Sequence, residues 1–156
     1  ASTGGFTDVL LNYKAKKIFA VDVGTNQLHE KLKKEEKIIN LEKTNARYLN
    51  KDIINEPIDL IVCDVSFISL KKVIEPALNL LKKPYGKIIV LIKPQFESSK
   101  NEIEKGGIIT NSLVHDRICN EIKIWFKNHE LKVLGLTKSP IKGPKGNIEF
   151  FIAAEN

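Results

Sequence analysis

The sequence predicts an α/β protein with a doubly wound, Rossmann-like sheet that ends in an antiparallel strand. Short β-branched runs alternate with stretches of helical apolar spacing along the chain. Residues 58–65 and 87–94 are almost continuously apolar, as expected for strands that are covered on both faces. Only residues 139–146 separate the last two strand candidates, 131–138 and 147–154, and a parallel crossover needs a longer connection.

The first half of the chain contains two further strand candidates and two helix candidates. Gly5–Tyr13 has apolar residues at a helical spacing, and residues 17–23 form a strand candidate that contains Asp22. A short polar helix is predicted over Gln27–Lys34 and a second strand over residues 37–41. Together with the two buried runs, this alternation predicts parallel strands joined by helices.

The second half contains two longer helix candidates, each preceded by a capping residue. Ser69 is predicted to cap a helix that runs to about Lys83, in which Pro76 should produce a kink or a new start. Asn111 is predicted to cap the other helix. The inner face of that helix is predicted to consist of Val114, Ile118, Ile122 and Trp125.

The composition is typical of one soluble globular domain. The chain has 156 residues, of which 42% are hydrophobic and 28% charged, and this is enough for a buried core. No apolar run approaches the length of a membrane span, and the first residues lack the pattern of a signal peptide. Cys63 and Cys119 lie in apolar stretches, which favours buried free thiols in a reducing compartment. We therefore expect a cytoplasmic protein without membrane contact.

The charge pattern has two explanations. A formal net charge of +6 indicates an anionic partner, but a biased genome also explains the lysine-rich composition. His29, His115 and His129 are predicted on helix surfaces without metal-ligand spacing, so no metal site is expected. Nothing in the sequence indicates an oligomeric state.

Three ionisable residues fall at the predicted carboxyl edge of the sheet, where open α/β sheets bind ligands. Asp64 and Lys93 end two buried strands, and Glu149 stands near the start of the last, antiparallel strand. If these strands are neighbours, about 4.8 Å apart, the side chains form a row of acid, base and acid. Each residue alone could be a solvated charge at a strand end, but the shared edge favours a catalytic site.

The beginning of the chain has weaker signals for a nucleotide-like cofactor. Residues 2–6, STGGF, have the glycines of a loop that lets a ligand approach the backbone. Asp22 is at the position where α/β nucleotide-binding proteins place an acid against ribose hydroxyls. Each signal is weak alone, because turns commonly contain glycines.

A resemblance covers essentially all 156 residues and is carried by six segments: STGGFTDVLL, AVDVG, DVSFISL, IKPQFE, KGG and GNIEF. In this order and spacing, the chain resembles the catalytic domain of the hemolysin A (TlyA) family. Members of that family are FtsJ-like ribosomal RNA 2′-O-methyltransferases that use S-adenosylmethionine. The resemblance implies the strand order 3-2-1-4-5-7-6, in which the strands of Asp64, Lys93 and Glu149 are neighbours. It matches these residues to three members of the family's Lys-Asp-Lys-Glu tetrad.

The resemblance also implies where cofactor and substrate lie. Lys93 would position the ribose hydroxyl and take its proton, Asp64 would orient Lys93, and Glu149 would hold it from the other side. The residues implied at S-adenosylmethionine are Ser2, Thr3, Gly4, Gly5 and Phe6 at the methionine end, Asp22 and Val23 at the ribose, Asn45 at the adenine and Asp64 near the methyl group. The residues implied at phosphates of ribosomal RNA or ribosomal subunits are Lys138, Lys142 and Lys145, and the nucleotide implied is a cytidine. Asn45 could equally be an ordinary turn residue, and the lysines a solvated hairpin.

The family pattern contains further parts upstream of the position of Ala1. These are a first strand with an Asp-x-Gly end, the other tetrad lysine and a small RNA-binding domain. We therefore expect a longer natural protein, two strands without their central partner in this chain, and poor cofactor binding by residues 1–156 alone. Residues 94–107 are predicted to form a polar loop at the active site.

Three other functions remain open at this point. A dinucleotide-dependent oxidoreductase would share the glycine turn and the acid that follows it, but it does not need a lysine between two acids. A non-catalytic RNA-binding module would retain the basic surface. The family name also suggests membrane lysis. The sequence contains neither a spanning helix nor a strongly amphipathic basic helix that would support this function.

Overall fold

The computed structural model describes residues 1–156 and contains five α-helices and six strands. The helices are α1 (Gly5–Asn12), α2 (Glu30–Lys33), α3 (Leu70–Leu78), α4 (Pro94–Glu97) and α5 (Ser112–Asn128). The strands are β1 (Ile18–Val21), β2 (Ile38–Leu41), β3 (Leu60–Cys63), β4 (Lys87–Ile92), β5 (Lys132–Lys138) and β6 (Phe150–Glu155). Helical segments separate every pair of consecutive strands except β5 and β6, which confirms the predicted α/β class. None of the helices combines the length and apolar composition needed to cross a bilayer.

The strands form two separate hydrogen-bonded sheets. β1 and β2 form a parallel pair, and the other four strands form a sheet in the order β3-β4-β6-β5. β3 and β4 are parallel, whereas β6 is antiparallel to both of its neighbours. The predicted antiparallel closing pair is therefore confirmed, and the short connection between β5 and β6 explains it.

A gap, here called the slot, separates the two sheets between β1 and β3. Each of these strands has a hydrogen-bonded partner on one side only. A cavity of about 380 Å³ occupies the slot, and most of its lining is apolar. The lining residues from the two facing strands include Ile18, Phe19, Ala20, Leu60, Ile61 and Val62. The facing edges thus carry backbone groups without strand partners, as the sequence predicted for two strands that lack a central neighbour.

Two apolar clusters form the interior, one on each side of the slot. The larger contains 15 buried residues, mainly from β3, β4, β6, α3 and α5, and the smaller contains five residues around β1 and β2. The predicted inner face of α5 is confirmed, since Ile118 and Ile122 are buried while Val114 and Trp125 pack against the larger cluster. Phe126, which is fully buried, was not predicted.

Helix α3 is shorter than predicted. It ends at Leu78 rather than near Lys83, and Pro76 lies inside its last turn. Beyond the helix the chain turns, and Leu81 forms a parallel bridge with Ile58. Backbone groups that follow the helix are therefore used in a single bridge to the segment before β3.

The cysteines agree with the prediction, and one of the three histidines, His115, does not. Cys63 and Cys119 are buried free thiols, and burial raises the pKa of Cys63 to about 12 and that of Cys119 to about 11. His29 caps α2, its Nδ1 accepting a hydrogen bond from the following turn. His115 is buried in α5, with Nε2 3.1 Å from the carbonyl oxygen of Ile109. His29 is exposed at the start of its helix, in agreement with the prediction, whereas the burial of His115 contradicts a position on a helix surface.

Candidate active site

Lys93 and Asp64 meet at the carboxyl ends of β4 and β3. Because these strands are parallel and adjacent, the residues that follow them lie at the same edge of the sheet. Nζ of Lys93 lies 2.6 Å from Oδ1 of Asp64 and donates a hydrogen bond of 3.0 Å to Oγ of Ser66. The Lys93 side chain is 13% exposed and that of Asp64 is 45% exposed. A largely covered ammonium group is therefore held by two oxygens at a solvent-accessible edge.

Glu149 lies at the same edge but has a different partner. It directly precedes β6, whose Phe150 pairs with Ile92 of β4. The Glu149 side chain is buried, and its Oε1 accepts a hydrogen bond of 3.1 Å from Nε2 of Gln95. It forms no ion pair within 4.0 Å. Lys93 thus contacts one of the two predicted acids, and Gln95 contacts the other.

Three further residues of this edge, Ser66, Gln95 and Glu97, were missed by the sequence analysis. All lie in the segments DVSFISL and IKPQFE, within a few residues of Asp64 or Lys93. Glu97 accepts hydrogen bonds from Oγ of Ser69 at 2.8 Å and from the amide of Leu70 at 2.5 Å. Burial raises the pKa of Glu97, although these hydrogen bonds act in the opposite direction. These three residues could have been found from the two segments themselves, which continue beyond Asp64 and Lys93.

The two glycines before α1 have different structural roles. Gly4 is buried with φ of +105°, and a Cβ there would overlap with the Leu32 side chain and lie 2.8 Å from Cδ1 of Leu28. A Cβ at Gly5 would meet nothing within 4 Å. Packing and backbone conformation therefore require a glycine at Gly4, whereas Gly5 presents an open backbone.

Asp22, directly after β1, is held by backbone donors. Oδ2 accepts from the amide of Ser2 at 2.6 Å and from the amino group of Ala1 at 2.9 Å, and Oδ1 accepts from the amide of Gly24 at 2.8 Å. Burial would raise the pKa of Asp22, but these hydrogen bonds outweigh burial and lower it. Its neighbour Val23 is exposed. An ionised carboxylate is thus fixed beside the glycine turn.

Asn45 begins the turn after β2, and only one end of its side chain is engaged. Its Oδ1 accepts hydrogen bonds from the backbone amide and from Nε of Arg47. Its side-chain nitrogen has no protein partner. The amide group is therefore a fixed hydrogen-bond donor on the same side of the sheet as Asp22.

Five of the predicted cofactor residues line the slot cavity: Ser2, Thr3, Gly5, Phe6 and Asp64. Gly4, Asp22, Val23 and Asn45 are not among its lining residues. A larger groove, of about 1350 Å³, lies at the opposite edge of the sheet near Lys82 and Glu130 and contains none of the predicted site residues. The slot opening is therefore where the structure brings the glycine turn and Asp64 together.

A buried asparagine joins the two loops that flank this edge. Oδ1 of Asn147 accepts from the Ile109 amide at 3.0 Å, and its Nδ2 donates to the Gly107 carbonyl oxygen at 2.9 Å. The predicted active-site loop, residues 94–107, is therefore fixed to the β5–β6 connection at its end. It contains α4 and a single 3-10 turn, so it is more structured than expected. The predicted RNA-binding residues on and beside that connection, Lys138, Lys142 and Lys145, are all exposed.

Comparison with known sequences gives a consistent set of relatives. The family of FtsJ-like methyltransferases matches residues 1–156. A protein named hemolysin A from Brachyspira hyodysenteriae is 44% identical over 154 residues, which are 96% of this chain and 62% of that protein. The 16S/23S rRNA (cytidine-2′-O)-methyltransferase TlyA from Mycobacterium tuberculosis is 39% identical over 152 residues, 97% of this chain and 56% of that protein. The chain thus spans less than two thirds of the length of these relatives.

Solved structures show the same similarity. A protein from Streptococcus thermophilus described as a hemolysin has a TM-score of 0.94 at 39% identity, with 100% of this chain and 56% of that chain covered. The N-methyltransferase NodS from Bradyrhizobium japonicum, in complex with S-adenosyl-L-homocysteine, has a TM-score of 0.64 at 14% identity, with 99% and 73% covered. The second similarity shows the Rossmann-like methyltransferase fold alone.

Proposed function

Because the chain belongs to the FtsJ-like methyltransferase family, we propose that it transfers a methyl group from S-adenosylmethionine to a ribose 2′-hydroxyl of ribosomal RNA. The named activities of the relatives from Mycobacterium tuberculosis and Campylobacter jejuni concern cytidine, which is the nucleotide we propose here. The ion pair of Lys93 and Asp64 at the carboxyl edge of the sheet carries this proposal. A hydroxyl is a weak nucleophile, and a fixed proton-transfer group beside it is what the reaction needs.

The residues around the glycine turn fit S-adenosylmethionine. A carboxylate oxygen can accept two hydrogen bonds, and Oδ1 of Asp22 accepts one, from Gly24, so it retains a position for a ribose hydroxyl. The free side-chain nitrogen of Asn45 can donate to an adenine nitrogen, and Gly5 leaves its backbone approachable. When bound, S-adenosylmethionine supplies a methyl group on a positively charged sulfur and leaves as a neutral thioether.

Lys93 is proposed to hold and deprotonate the acceptor hydroxyl. An ammonium group has three N–H donors, and Asp64 and Ser66 take two of them, so one remains for the 2′-oxygen. Lys93 first passes one proton to Asp64. The electron pair freed on its nitrogen then takes the proton of the hydroxyl as the oxygen receives the methyl group. Asp64 is exposed enough to release that proton to water. Alignment of the hydroxyl by Lys93 supplies much of the rate.

Glu149 is proposed to support Lys93 indirectly. Its carboxylate is buried, and Gln95, two residues beyond Lys93, is its hydrogen-bond donor. This contact fixes the direction of the chain that leaves β4 and holds a carboxyl group on the β6 side of the site. The proposal thus keeps Glu149 in the catalytic group but assigns its direct contact to Gln95.

The lysines of the β5–β6 connection are proposed to bind RNA phosphates. Lys138, Lys142 and Lys145 are exposed, and none forms an ion pair. The same connection ends at Glu149, so the basic group lies beside the catalytic edge. Lysines that neutralise phosphates release counterions, which makes such binding dependent on salt. A ribosomal substrate implies that the protein works in the cytoplasm.

The slot between β1 and β3 is proposed to hold a further parallel strand of the whole protein. The apolar walls of the slot, its two free strand edges and the greater length of the relatives support this assignment. One strand there would join all strands into a single sheet and close the cofactor site. We also propose an upstream RNA-binding domain and a second catalytic lysine for the whole protein, because the family resemblance implies them.

Transfer of a labelled methyl group tests this function. The whole protein is incubated with S-adenosylmethionine carrying a tritiated methyl group and with ribosomal subunits from cells that lack the enzyme. We expect label in a 2′-O-methylcytidine after nuclease digestion and chromatography. Label on a base, or no label despite measurable cofactor binding, would contradict the proposal. Thermal stabilisation by NAD but not by S-adenosylmethionine would favour an oxidoreductase instead.

A further inference from the structure

Three contacts join the segment that follows β3 to the segment that follows β4. The first is the contact of Lys93 with Asp64 and Ser66. The second is an aromatic pair, in which the ring centroids of Phe67 and Phe96 lie 5.1 Å apart. The third is the pair of hydrogen bonds that Glu97 accepts at the start of α3. The two segments, residues 64–70 and 93–97, therefore run beside each other and are connected at both ends and in the middle.

Glu97 replaces the usual local cap of a helix. The residue before a helix commonly accepts a hydrogen bond from the first turn with its own side chain. Ser69 occupies that position, but its side chain makes no such bond. Instead Oγ of Ser69 donates to Oε2 of Glu97, and Oε1 of Glu97 accepts from the amide of Leu70. The beginning of α3 is thus tied to a residue 28 positions further along the chain.

We propose that Glu97 is a positioning residue that sets the distance between Asp64 and Lys93 by fixing the start of α3 against the end of α4. This inference rests on the proposed methyl transfer and adds a residue to its site. Residues 65–69 form a short path from Asp64 to the helix, so a shift of the helix start moves Asp64 and Ser66 relative to Lys93. Displacement of a reacting group by about 1 Å can cost about a hundredfold in rate.

Folding stability alone does not explain a carboxylate at this place. Glu97 is partly buried, and burial raises its pKa, so the ionised form is disfavoured in the folded protein. The charged groups that act on it are Lys71 on α3, which favours the carboxylate, and Glu121 on α5, which opposes it. Hydrogen bonds to an ionised acceptor are shorter and stronger than neutral ones. The ionised carboxylate of Glu97 therefore holds the start of α3 more tightly than a neutral side chain would.

Kinetics of the whole protein with Glu97→Ala, Glu97→Gln and Ser69→Ala test this inference. The substrates are tritiated S-adenosylmethionine and unmethylated ribosomal subunits, and affinities for both are measured separately. We expect Glu97→Ala to lower kcat by about a hundredfold while both affinities change by less than about twofold. Glu97→Gln retains an oxygen for the Leu70 amide and should recover about tenfold of that loss. Ser69→Ala should have a smaller effect, because one of the two hydrogen bonds remains.

The matched control is Glu75→Gln, an exposed glutamate on the same helix without an ion pair. It should leave kcat unchanged. Wild-type kcat in Glu97→Ala would overturn the inference, and so would a loss of kcat that follows the loss of folded protein. If Glu97→Ala does not fold, wild-type kcat in both Glu97→Gln and Ser69→Ala would overturn it. Absence of transfer by the wild-type protein would instead contradict the proposed function.

Discussion

The ammonium group of Lys93 and the carboxylate of Asp64 lie 2.6 Å apart, at the ends of two strands that pair directly. Neither residue depends on a long loop for its position, because each follows its strand at once. Pairing of the strands therefore places both residues at one edge, and the contacts of the segments that follow β3 and β4 adjust their separation. This arrangement fits the proton-transfer group that the proposed reaction needs, at the edge where open α/β sheets bind ligands.

Replacement of Lys93 is predicted to abolish transfer and to spare cofactor binding. Lys93→Ala removes the only proposed contact with the acceptor hydroxyl, whereas the proposed cofactor contacts lie on other elements. We expect kcat to fall by at least about a hundredfold. Calorimetric titration with S-adenosylmethionine should give an unchanged dissociation constant. The control is Lys87→Ala, which replaces an exposed lysine at the other end of the same strand. Near-normal turnover of Lys93→Ala would refute the assignment.

The two glycines of the turn should respond differently to alanine. Gly4→Ala introduces a Cβ that overlaps with Leu32 at a positive φ, so it should destabilise the protein by about 1–3 kcal/mol. Gly5→Ala meets open space at the start of α1 and should leave stability unchanged or raise it by up to about 1 kcal/mol. Chemical denaturation measures both. Equal stability losses in the two variants would show that the turn is packed differently.

The variants Gly4→Ala and Gly5→Ala also distinguish an effect on folding from an effect on cofactor binding. If the backbone at Gly5 approaches the cofactor, Gly5→Ala should weaken the binding of S-adenosylmethionine in the whole protein without a loss of stability. The measurement is a calorimetric titration beside a melting curve. Unchanged affinity would remove Gly5 from the proposed cofactor site.

The lysines beside the catalytic edge should contribute to RNA affinity through charge. Replacing Lys138, Lys142 and Lys145 together by alanine should weaken binding to ribosomal RNA and reduce the slope of log affinity against log salt by about 2–3. A variant in which Lys31, Lys34 and Lys37 are replaced has the same charge change in the segment before β2, outside the β5–β6 connection. An equal effect in both variants would indicate general attraction rather than a site.

Glu97 should make stability depend on pH in a defined direction. Its folded-state pKa is raised above the ordinary value of 4.5, so its contribution to stability is present below that pH and is lost as pH rises through the folded pKa. Glutamine does not titrate. The free energy of unfolding of Glu97→Gln relative to wild type should therefore increase as pH rises above about 4.5. A difference that stays constant or decreases over this range would mean that the carboxylate is not disfavoured by burial.

Part of this site could be predicted from the sequence because strand pairing decides which residues share an edge. Two consecutive buried strands that are parallel place the residues after them at one edge, so Asp64 and Lys93 could be paired before any loop was known. The partner of Glu149 could not be predicted in this way. Gln95 contacts this carboxyl group from the segment after β4, and strand order does not determine where that side chain points.

Contacts between segments that are distant along the chain also could not be predicted from the sequence. Ser69 had the sequence signature of a helix cap, but its hydroxyl is used by Glu97, which lies 28 residues away. Phe126 was not predicted because the expected apolar face of α5 ended at its neighbour Trp125. The observed inner face is wider and includes both residues. Local patterns thus predicted the order and type of the elements, while contacts between side chains distant in sequence determined the details.

The slot divides the structure formed by residues 1–156 into two parts that can unfold locally at different rates. The five-residue cluster around β1 and β2 is separate from the cluster of 15 residues, and no backbone ladder links the two sheets. Amide protons of Ile18–Val21 should therefore exchange with deuterated solvent through local opening, well before those of Ile88–Ile92. Occupation of the slot by a strand would merge the two into one cooperative unit and slow the first set to the rate of the second.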